Sequence, residues 1–268
     1  MDTKEKWQIS LQAAFTLVLM SGVPVFIKFT SANPYTIGIF RLGVATALMS
    51  VFLRMKSSSG TPPPRIMLLP LVIIGLLFGI HLLTYFLSIK RATASVGILG
   101  MSTYGVHLIF LGWLIRKHKP VITDFIALGL ALAGTYFIIP EFSLSNDVAV
   151  GMALSITSGL CFALLPVIHQ QYSFIPERLR VLSQFGIALA FFLFFLPLAD
   201  WRLGEVDWWA LIYLAIPGTF IAHSLWVRIT TRLPTTIPSL IFYLIVPMAM
   251  FISHYWLGEP MPVEKVVG

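Results

Sequence analysis

The chain has 268 residues, of which 57% are hydrophobic and only 11% are charged, and its mean hydropathy is +0.88. Soluble domains carry about 25% charged residues, so this composition excludes an ordinary soluble protein and indicates a chain that lies in lipid. A single cysteine, Cys161, excludes a disulfide framework, and the sequence offers no metal-binding cluster.

Nine segments have the roughly 20 apolar residues that a membrane-crossing helix needs. They run Ile9–Phe29, Tyr35–Met55, Ile66–Ile89, Ala94–Ile115, Val121–Ile139, Val148–Ile168, Leu179–Leu198, Trp208–Val227 and Thr236–Leu257. The apolar runs are continuous rather than alternating, which favours helices over the strands of a membrane barrel. Because the linkers are short, we predict one all-α, polytopic membrane unit without a soluble domain. No small-residue cleavage site follows the first run, so we interpret it as a retained span rather than a signal peptide.

The chain contains one hydrophobic hairpin twice. The segment His81–Pro120 returns as His223–Pro262 at a shift of 142 residues, and RLGVATA from Arg41 returns as QFGIALA from Gln184 at a shift of 143. We call two residues related by these shifts repeat mates. An internal repeat of this length in an apolar chain is typical of membrane transporters.

The two copies are predicted to insert into the membrane in opposite directions. The first copy has five spans, and an odd number brings the second copy in from the other side, which makes an inverted repeat. We assign the first repeat to residues 1–140 and the second to residues 141–268. The second copy holds four spans and only the beginning of a fifth, at EKVVG. This pattern predicts a truncated tenth helix, with a natural nine-span protein as the alternative.

The distribution of basic residues predicts the orientation. With the N-terminus in the cytoplasm, twelve lysines and arginines fall on the cytoplasmic side and five on the other. This follows the positive-inside rule, with Lys90 and Arg91 as a local exception. The basic residues lie in short loops between spans, so the net charge of +7 indicates a membrane-surface arrangement and no nucleic-acid partner.

Two cations lie deep in the predicted spans. An ionisable side chain inside lipid costs at least about 2.5 kcal/mol and normally faces a cavity or a partner. Arg41 lies about two turns into the second span, and we predict a functional or gating role for it, with hydrogen bonds to neighbouring carbonyls as the alternative. Lys28 closes the first span, where a role in binding and simple snorkelling to the interface stay equally open.

Histidines and tyrosines form the second polar group. His81 and Tyr85 are an i, i+4 pair on the third span, and Tyr104 and His107 are an i, i+3 pair on the fourth. His81 and His223 are repeat mates, so a pseudo-two-fold axis would bring both to symmetric depths around one cavity. The alternative is that both histidines only pack inside the protein and line no cavity.

No aspartate or glutamate occupies the middle of a predicted span, which argues against a cation exporter or a carboxylate-driven proton pump. The remaining polar set suits a substrate with a carboxylate or phosphate and an apolar or aromatic remainder, because arginine binds such anions bidentately. Any proton coupling would fall to histidine. The predicted substrate-binding residues are Arg41, His81, Tyr85, Tyr104, His107, Gln184, His223 and Tyr243. The predicted gating residues are Lys28, Pro24 and Pro247, and we predict no catalytic residue, metal or cofactor.

Four tracts carry a resemblance to a known family. VFIK ends at Lys28, NPYTIGIFR ends at Arg41, LTYFLSIKRATASVGIL joins the third and fourth spans, and IVPMAMFISHYWLGEPMPVEKVVG covers the ninth span and its LGE turn. These tracts resemble the EamA-like ten-helix branch of the drug/metabolite transporter superfamily. The chain departs from the family pattern at Met20 and Ser21, where the family often has a Trp-Gly pair. In the first copy, IRK at 115–117 stands in place of the LGE turn.

The resemblance implies a secondary transporter, most often an exporter of amino acids or related metabolites across a bacterial inner membrane. Two inverted halves would alternate access to a midplane cavity, with a small-molecule substrate and the lipid bilayer as partners and a homodimer left open. An importer or exchanger of anionic or phosphorylated metabolites is an alternative within transport. An integral membrane transferase is the alternative of another class, but it would need an aspartate cluster or a His–carboxylate pair that the spans do not contain.

Overall fold

A computed structural model describes residues 3–55, 68–117, 146–233 and 236–259, together with the pairs 121–122, 125–126 and 129–130. Within these residues the chain is helical and forms no strand. The described residues contain ten α-helices with defined bounds: α1 (Thr3–Phe29), α2 (Pro34–Met55), α3 (Leu68–Arg91), α4 (Ala94–Ser102), α5 (Tyr104–Arg116), α6 (Asn146–Gln171), α7 (Glu177–Leu193), α8 (Glu205–Ala215), α9 (Ala222–Arg232) and α10 (Thr236–Leu257). A short 3-10 turn, Leu196–Leu198, follows α7, and a π-helical segment, Ile216–Ile221, joins α8 to α9.

Seven stretches of the described residues are long and apolar enough to cross a membrane. Two of them combine neighbouring elements: α4 with α5, and α8 with the π-helical segment and α9. The prediction of a polytopic helical membrane protein is confirmed. The predicted span Val121–Ile139 falls almost entirely outside the described residues, and so does the start of the predicted tenth helix.

Two predicted spans differ from the helices in the structure. The span Ala94–Ile115 is interrupted at Thr103, whose hydroxyl donates to the carbonyl of Gly100 (2.7 Å) and competes with the regular backbone ladder. The span Leu179–Leu198 was too long, because α7 ends after 17 residues at Leu193. Pro197 lacks the amide donor that would continue the helix there.

The helix connections define two ends of the bundle. We call one the Asp207 end; it contains the α1–α2 and α3–α4 connections, the start of α8 and the end of α10. The other is the Arg228 end, which contains the start of α1, the α6–α7 connection and the end of α9. At this end Arg232 Nη1 lies 3.2 Å from Glu5 Oε1 and joins α9 to α1.

The repeat mates α2 and α7 run antiparallel to each other. Tyr35 at the start of α2 stacks on Phe195, which follows α7, with ring centroids 5.4 Å apart. At the opposite end, the guanidinium of Arg178 at the start of α7 lies 5.1 Å from the ring centroid of Phe52. The shift of 143 residues converts the first contact into the second. The two halves are therefore inverted relative to each other.

A second pair of repeat mates caps equivalent helix ends. Lys28 Nζ donates to the carbonyls of Ala92 (2.6 Å) and Ile89 (3.3 Å) at the end of α3. Its repeat mate Gln170 donates through Nε2 to the carbonyl of Thr230 (2.5 Å) at the end of α9. The last carbonyls of a helix have no donor within the helix, so both side chains satisfy groups that would otherwise lack a partner.

The core lies where helices of the two halves meet. Phe86 of α3 and Phe185 and Phe192 of α7 are fully buried there. Large apolar side chains also cover the outward faces of the helices, for example Leu11 and Phe15 of α1. Helices that are apolar on all sides are typical of a chain surrounded by lipid.

Candidate functional site

A cavity of about 40 Å³ lies near the middle of the bundle and is lined by side chains of both halves. Its polar lining consists of Arg41, His81, Tyr85 and His223. The remaining lining is apolar and includes Phe162. This volume holds roughly three water molecules, so a solute would need the helices to move apart.

Arg41 is fully buried and points into this cavity. Its Nε donates to Thr219 Oγ1 (2.8 Å), and Nη2 lies 3.4 Å from the carbonyl oxygen of Gly218. Its guanidinium lies 5.1 Å from the ring centroid of Phe86. Among the described residues, Nη1 has no hydrogen-bond partner and no carboxylate forms an ion pair with Arg41. A buried guanidinium with a spare donor is suited to bind a carboxylate or phosphate.

The π-helical segment supplies the partners of Arg41. Pro217 lacks an amide hydrogen, and the hydroxyl of Thr219 donates to the carbonyl of Leu214 five residues earlier (2.7 Å). Irregular turns of this kind are frequent at functional sites. The adjacent Pro217 and Gly218 in the middle of a span are a signal for such a turn, but they do not predict its contact with Arg41.

His81 and His223 line the same cavity in different surroundings. His81 Nδ1 lies 2.8 Å from Ser158 Oγ, and its ring stacks on Phe162 with centroids 4.5 Å apart. His223 meets Phe78 edge to face at 4.8 Å, and its Nδ1 has no hydrogen-bond partner among the described residues. Nothing in the sequence singles out Ser158, because serines are common in membrane helices and often bond only to their own backbone.

Four predicted binding residues lie outside the cavity lining: Tyr104, His107 and Tyr243, and also Gln184, which is described below. Tyr104 is fully buried behind the lining residues Phe162 and Phe242, with ring centroids 5.2 and 4.7 Å away. His107 is half-buried on α5, and Tyr243 lies on α10 with its hydroxyl against Gly105. Tyr104 therefore lies directly behind the wall of the cavity, and none of the four residues belongs to the wall itself.

Gln184 belongs to a separate buried network. Its Oε1 lies 2.8 Å from His169 Nε2, and His169 Nδ1 lies 3.1 Å from Arg180 Nη1. Arg180 Nε donates to the carbonyl of Ile175 (3.0 Å), so this network closes the α6–α7 connection. The sequence predicts His169 as a loop or span-end residue. It does lie near the end of α6, but its side chain is buried, and its Nδ1 accepts from Arg180.

The predicted gating residues also lie outside the cavity lining. Pro24 is buried inside α1 next to the lining residue Val23, and Pro247 is exposed on α10. Lys28 caps α3 at the Asp207 end, as described above. Within the described ranges, no group of three or more histidine, cysteine or acidic side chains is arranged to hold a metal ion.

Hydrogen bonds between the two halves hold the Asp207 end together. The carboxylate of Asp207 accepts from Thr30 Oγ1 (2.9 Å), Ser31 N (2.6 Å) and Ser31 Oγ (2.7 Å). In the neighbouring loop, the hydrogen bond from the Arg202 guanidinium lowers the pKa of Asp200 to about 2, so this carboxylate stays charged at physiological pH.

Glu259 of the LGE turn makes a further contact between the halves. Its carboxylate accepts from the backbone N–H of Ala94 (3.0 Å) and from Ser95 Oγ (2.5 Å) at the start of α4. A carboxylate is favourable at the positive end of a helix dipole. The turn therefore fixes the end of α10 against α4.

The sequence profile of the EamA-like transporter family matches residues 8–139 and 149–268. The chain belongs to the EamA-like transporter family. Its membership makes it a membrane transporter of the drug/metabolite type.

A solved structure titled "Crystal structure of protein" is similar to this EamA-like transporter with a TM-score of 0.76. The similarity covers 97% of this chain and 93% of that chain at 14% sequence identity, and it shows a likeness of fold alone. No curated protein matches the sequence.

Proposed function

We propose that this EamA-like transporter is a secondary transporter that exports small carboxylate-bearing metabolites, amino acids or related compounds, across the bacterial inner membrane. The two halves alternate access to the central cavity, and the N-terminus lies in the cytoplasm. The observation that carries this proposal is Arg41, a buried cation in a cavity lined by both halves, whose Nη1 has no hydrogen-bond partner in the part of the chain that the structure describes.

An anion would compensate the charge of Arg41. A buried charge without a counter-ion is costly, and an ionic hydrogen bond contributes about 1.5–3 kcal/mol. Because no acid among the described residues pairs with Arg41, a solute carboxylate that approaches Nη1 would supply the missing counter-charge. The aromatic rings of Tyr85 and Phe162 offer contacts for an apolar remainder of the same solute.

The size of the cavity supports a transport cycle rather than a permanent binding site. A cavity of about 40 Å³ cannot hold a metabolite until its helices separate. The inverted halves provide two ways to separate them, one at each end of the bundle.

The charges at the two ends support a cytoplasmic N-terminus. Among the described residues, basic side chains outnumber acidic ones at the Arg228 end, where Arg54, Arg178, Arg180, Arg228 and Arg232 stand against Glu5 and Glu177. At the Asp207 end, acidic side chains offset the basic ones: Asp147, Asp200, Glu205, Asp207 and Glu259 stand against Lys28, Lys90, Arg91 and Arg202. This asymmetry follows the positive-inside rule if the Arg228 end faces the cytoplasm. Export then runs from the Arg228 end to the Asp207 end.

Flux through purified protein in proteoliposomes tests the proposal. A panel of radiolabelled amino acids and organic acids identifies the transported solutes, and Arg41→Gln is expected to lower their flux at least about tenfold, because it removes one ionic hydrogen bond. Arg41→Lys keeps the charge but loses the planar guanidinium that can bind a carboxylate through two N–H donors, so its flux should lie between those of the parent protein and Arg41→Gln. The control is Arg202→Gln, an exposed arginine that should not affect flux. Unchanged flux in Arg41→Gln would contradict the proposal.

A further inference from the structure

A second cavity, of about 280 Å³, lies at the Arg228 end between α2, α7 and α9. Its volume approaches the roughly 300 Å³ at which ligand pockets begin. Met49 and Leu225 contribute apolar walls, and Glu177, Arg178 and Arg228 contribute charge. We call this cavity the Arg228-end pocket.

The Arg228-end pocket carries more positive than negative charge. Arg228 Nε lies 3.0 Å from Glu177 Oε1, so these two charges compensate each other. Arg178 contacts the ring of Phe52 and, among the described residues, forms no ion pair with a carboxylate. One guanidinium charge is therefore left for a solute, and cation–π contact with Phe52 holds it in position.

At the Asp207 end, aromatic rings occupy the equivalent positions. Four repeat mates of the pocket residues form a cluster that we call the aromatic plug: Phe192 for Met49, Phe195 for Phe52, Tyr35 for Arg178 and Phe86 for Arg228. Phe192 packs on Phe86 with ring centroids 6.2 Å apart, and Tyr35 stacks on Phe195 at 5.4 Å. The volume equivalent to the pocket is thus filled by aromatic side chains at the Asp207 end and open at the Arg228 end. In an inverted repeat that alternates access, one end opens while the other closes.

The π-helical segment lies between the Arg228-end pocket and the central cavity. Gly218 and Thr219 bind Arg41 of the central cavity, whereas Phe220 and Ile221 line the Arg228-end pocket. A solute in the pocket is therefore separated from Arg41 by one turn of irregular helix.

We propose that the Arg228-end pocket is an anion-selective vestibule, in which Arg178 binds the carboxylate of the solute before it passes the π-helical segment to Arg41. The inference rests on the proposed function, because it names an earlier position of the same solute.

Charge-selective cysteine labelling tests the vestibule without any transport. Ser224 lines the pocket, and Ser224→Cys is introduced into the full chain with Cys161→Ala, in nanodiscs of phosphatidylcholine. The labelling rates of a sulfonate and a trimethylammonium methanethiosulfonate reagent are compared, each divided by its rate with 2-mercaptoethanol. We expect a normalised preference of about threefold or more for the sulfonate, because the local potential is positive.

Variants identify the charges responsible. Arg178→Gln should bring the normalised preference for the sulfonate close to one, whereas Glu177→Gln should increase this preference. The matched control Arg202→Gln, at the other end of the bundle, should leave the preference unchanged. A preference of one in the parent protein, or no response to Arg178→Gln, would overturn the proposal.

A second nanodisc composition separates a solute site from a lipid site. If phosphatidylglycerol nanodiscs abolish labelling by both reagents, a lipid headgroup occupies the pocket and the vestibule is excluded. Equal labelling in both lipids is the expected result. Failure of the proposed function would show separately, as flux that does not depend on Arg41.

Discussion

Gly38 determines how closely the aromatic plug packs. A Cβ atom at this position would lie 2.0 Å from Cε1 of Phe192, so Gly38→Ala must displace a fully buried ring. Overpacking of this kind costs typically 1–3 kcal/mol. We expect a clear fall in the melting temperature of the purified protein in detergent.

Gly43 on the same helix is the matched control. A Cβ atom there would have no neighbour within 4 Å, so Gly43→Ala should not lower the melting temperature. Equal melting temperatures for the two variants would show that Phe192 does not pack against α2 as described.

Single residues differ in how far the sequence predicts their place. Arg41, His81 and His223 are recognisable because a polar group deep in an apolar span needs a reason to be there. Gln184 shows the limit of repeat symmetry: it is the repeat mate of Arg41, but its amide binds His169 instead of lining the cavity. The repeat relates backbone positions, whereas the partners of a side chain depend on residues that have diverged between the copies.

At the scale of helices, substitutions of Lys28 test whether its hydrogen bonds to the end of α3 or its charge matters for stability and flux. Gln170 caps the equivalent end of α9 with an amide, so Lys28→Gln should preserve both stability and flux. Lys28→Leu leaves carbonyls of α3 without their donor and should cost about 1–2 kcal/mol. Thermal unfolding and flux in proteoliposomes measure both effects.

The outcome separates two roles of Lys28. If Lys28→Gln unfolds normally but loses flux, the ammonium acts on the solute and capping is not its main role. If neither substitution changes the melting temperature, the hydrogen bonds to Ile89 and Ala92 contribute no stability.

Helix positions were largely predictable, but helix irregularities were not. The predicted span Thr236–Leu257 coincides with α10, because long apolar runs bounded by polar residues determine where a membrane helix begins and ends. The interruption at Thr103 and the π-helical segment depend on individual hydrogen bonds, to which hydropathy is insensitive. The second of these carries two partners of Arg41, so the site was harder to predict than the helices around it.

At the scale of the whole molecule, Asp207 joins the two halves at one end of the bundle. Its carboxylate accepts three hydrogen bonds from Thr30 and Ser31 of the other half. Asp207→Asn removes the charge and part of these bonds, and we expect it to populate a state in which the Asp207 end is open. Spin labels at Phe29→Cys and Trp201→Cys, with Cys161→Ala, should then show an additional population at longer distance by double electron–electron resonance.

Glu205→Gln is the control for this experiment, because Glu205 is an exposed acid two residues away on the same helix. It should leave the distance distribution unchanged. A distribution for Asp207→Asn that matches the parent protein would mean that the charge of Asp207 is not needed to keep this end closed.

The aromatic ring of Phe86 belongs to both the plug and the charged site. One side of its environment is Phe192, at a centroid distance of 6.2 Å, and another is the guanidinium of Arg41, at 5.1 Å. A cation–π contact contributes about 0.5–2 kcal/mol and weakens when the cation is neutralised by an anion. Cargo that docks on the arginine would thereby loosen the ring that helps to seal the exit, so loading and release would be energetically linked through one phenylalanine.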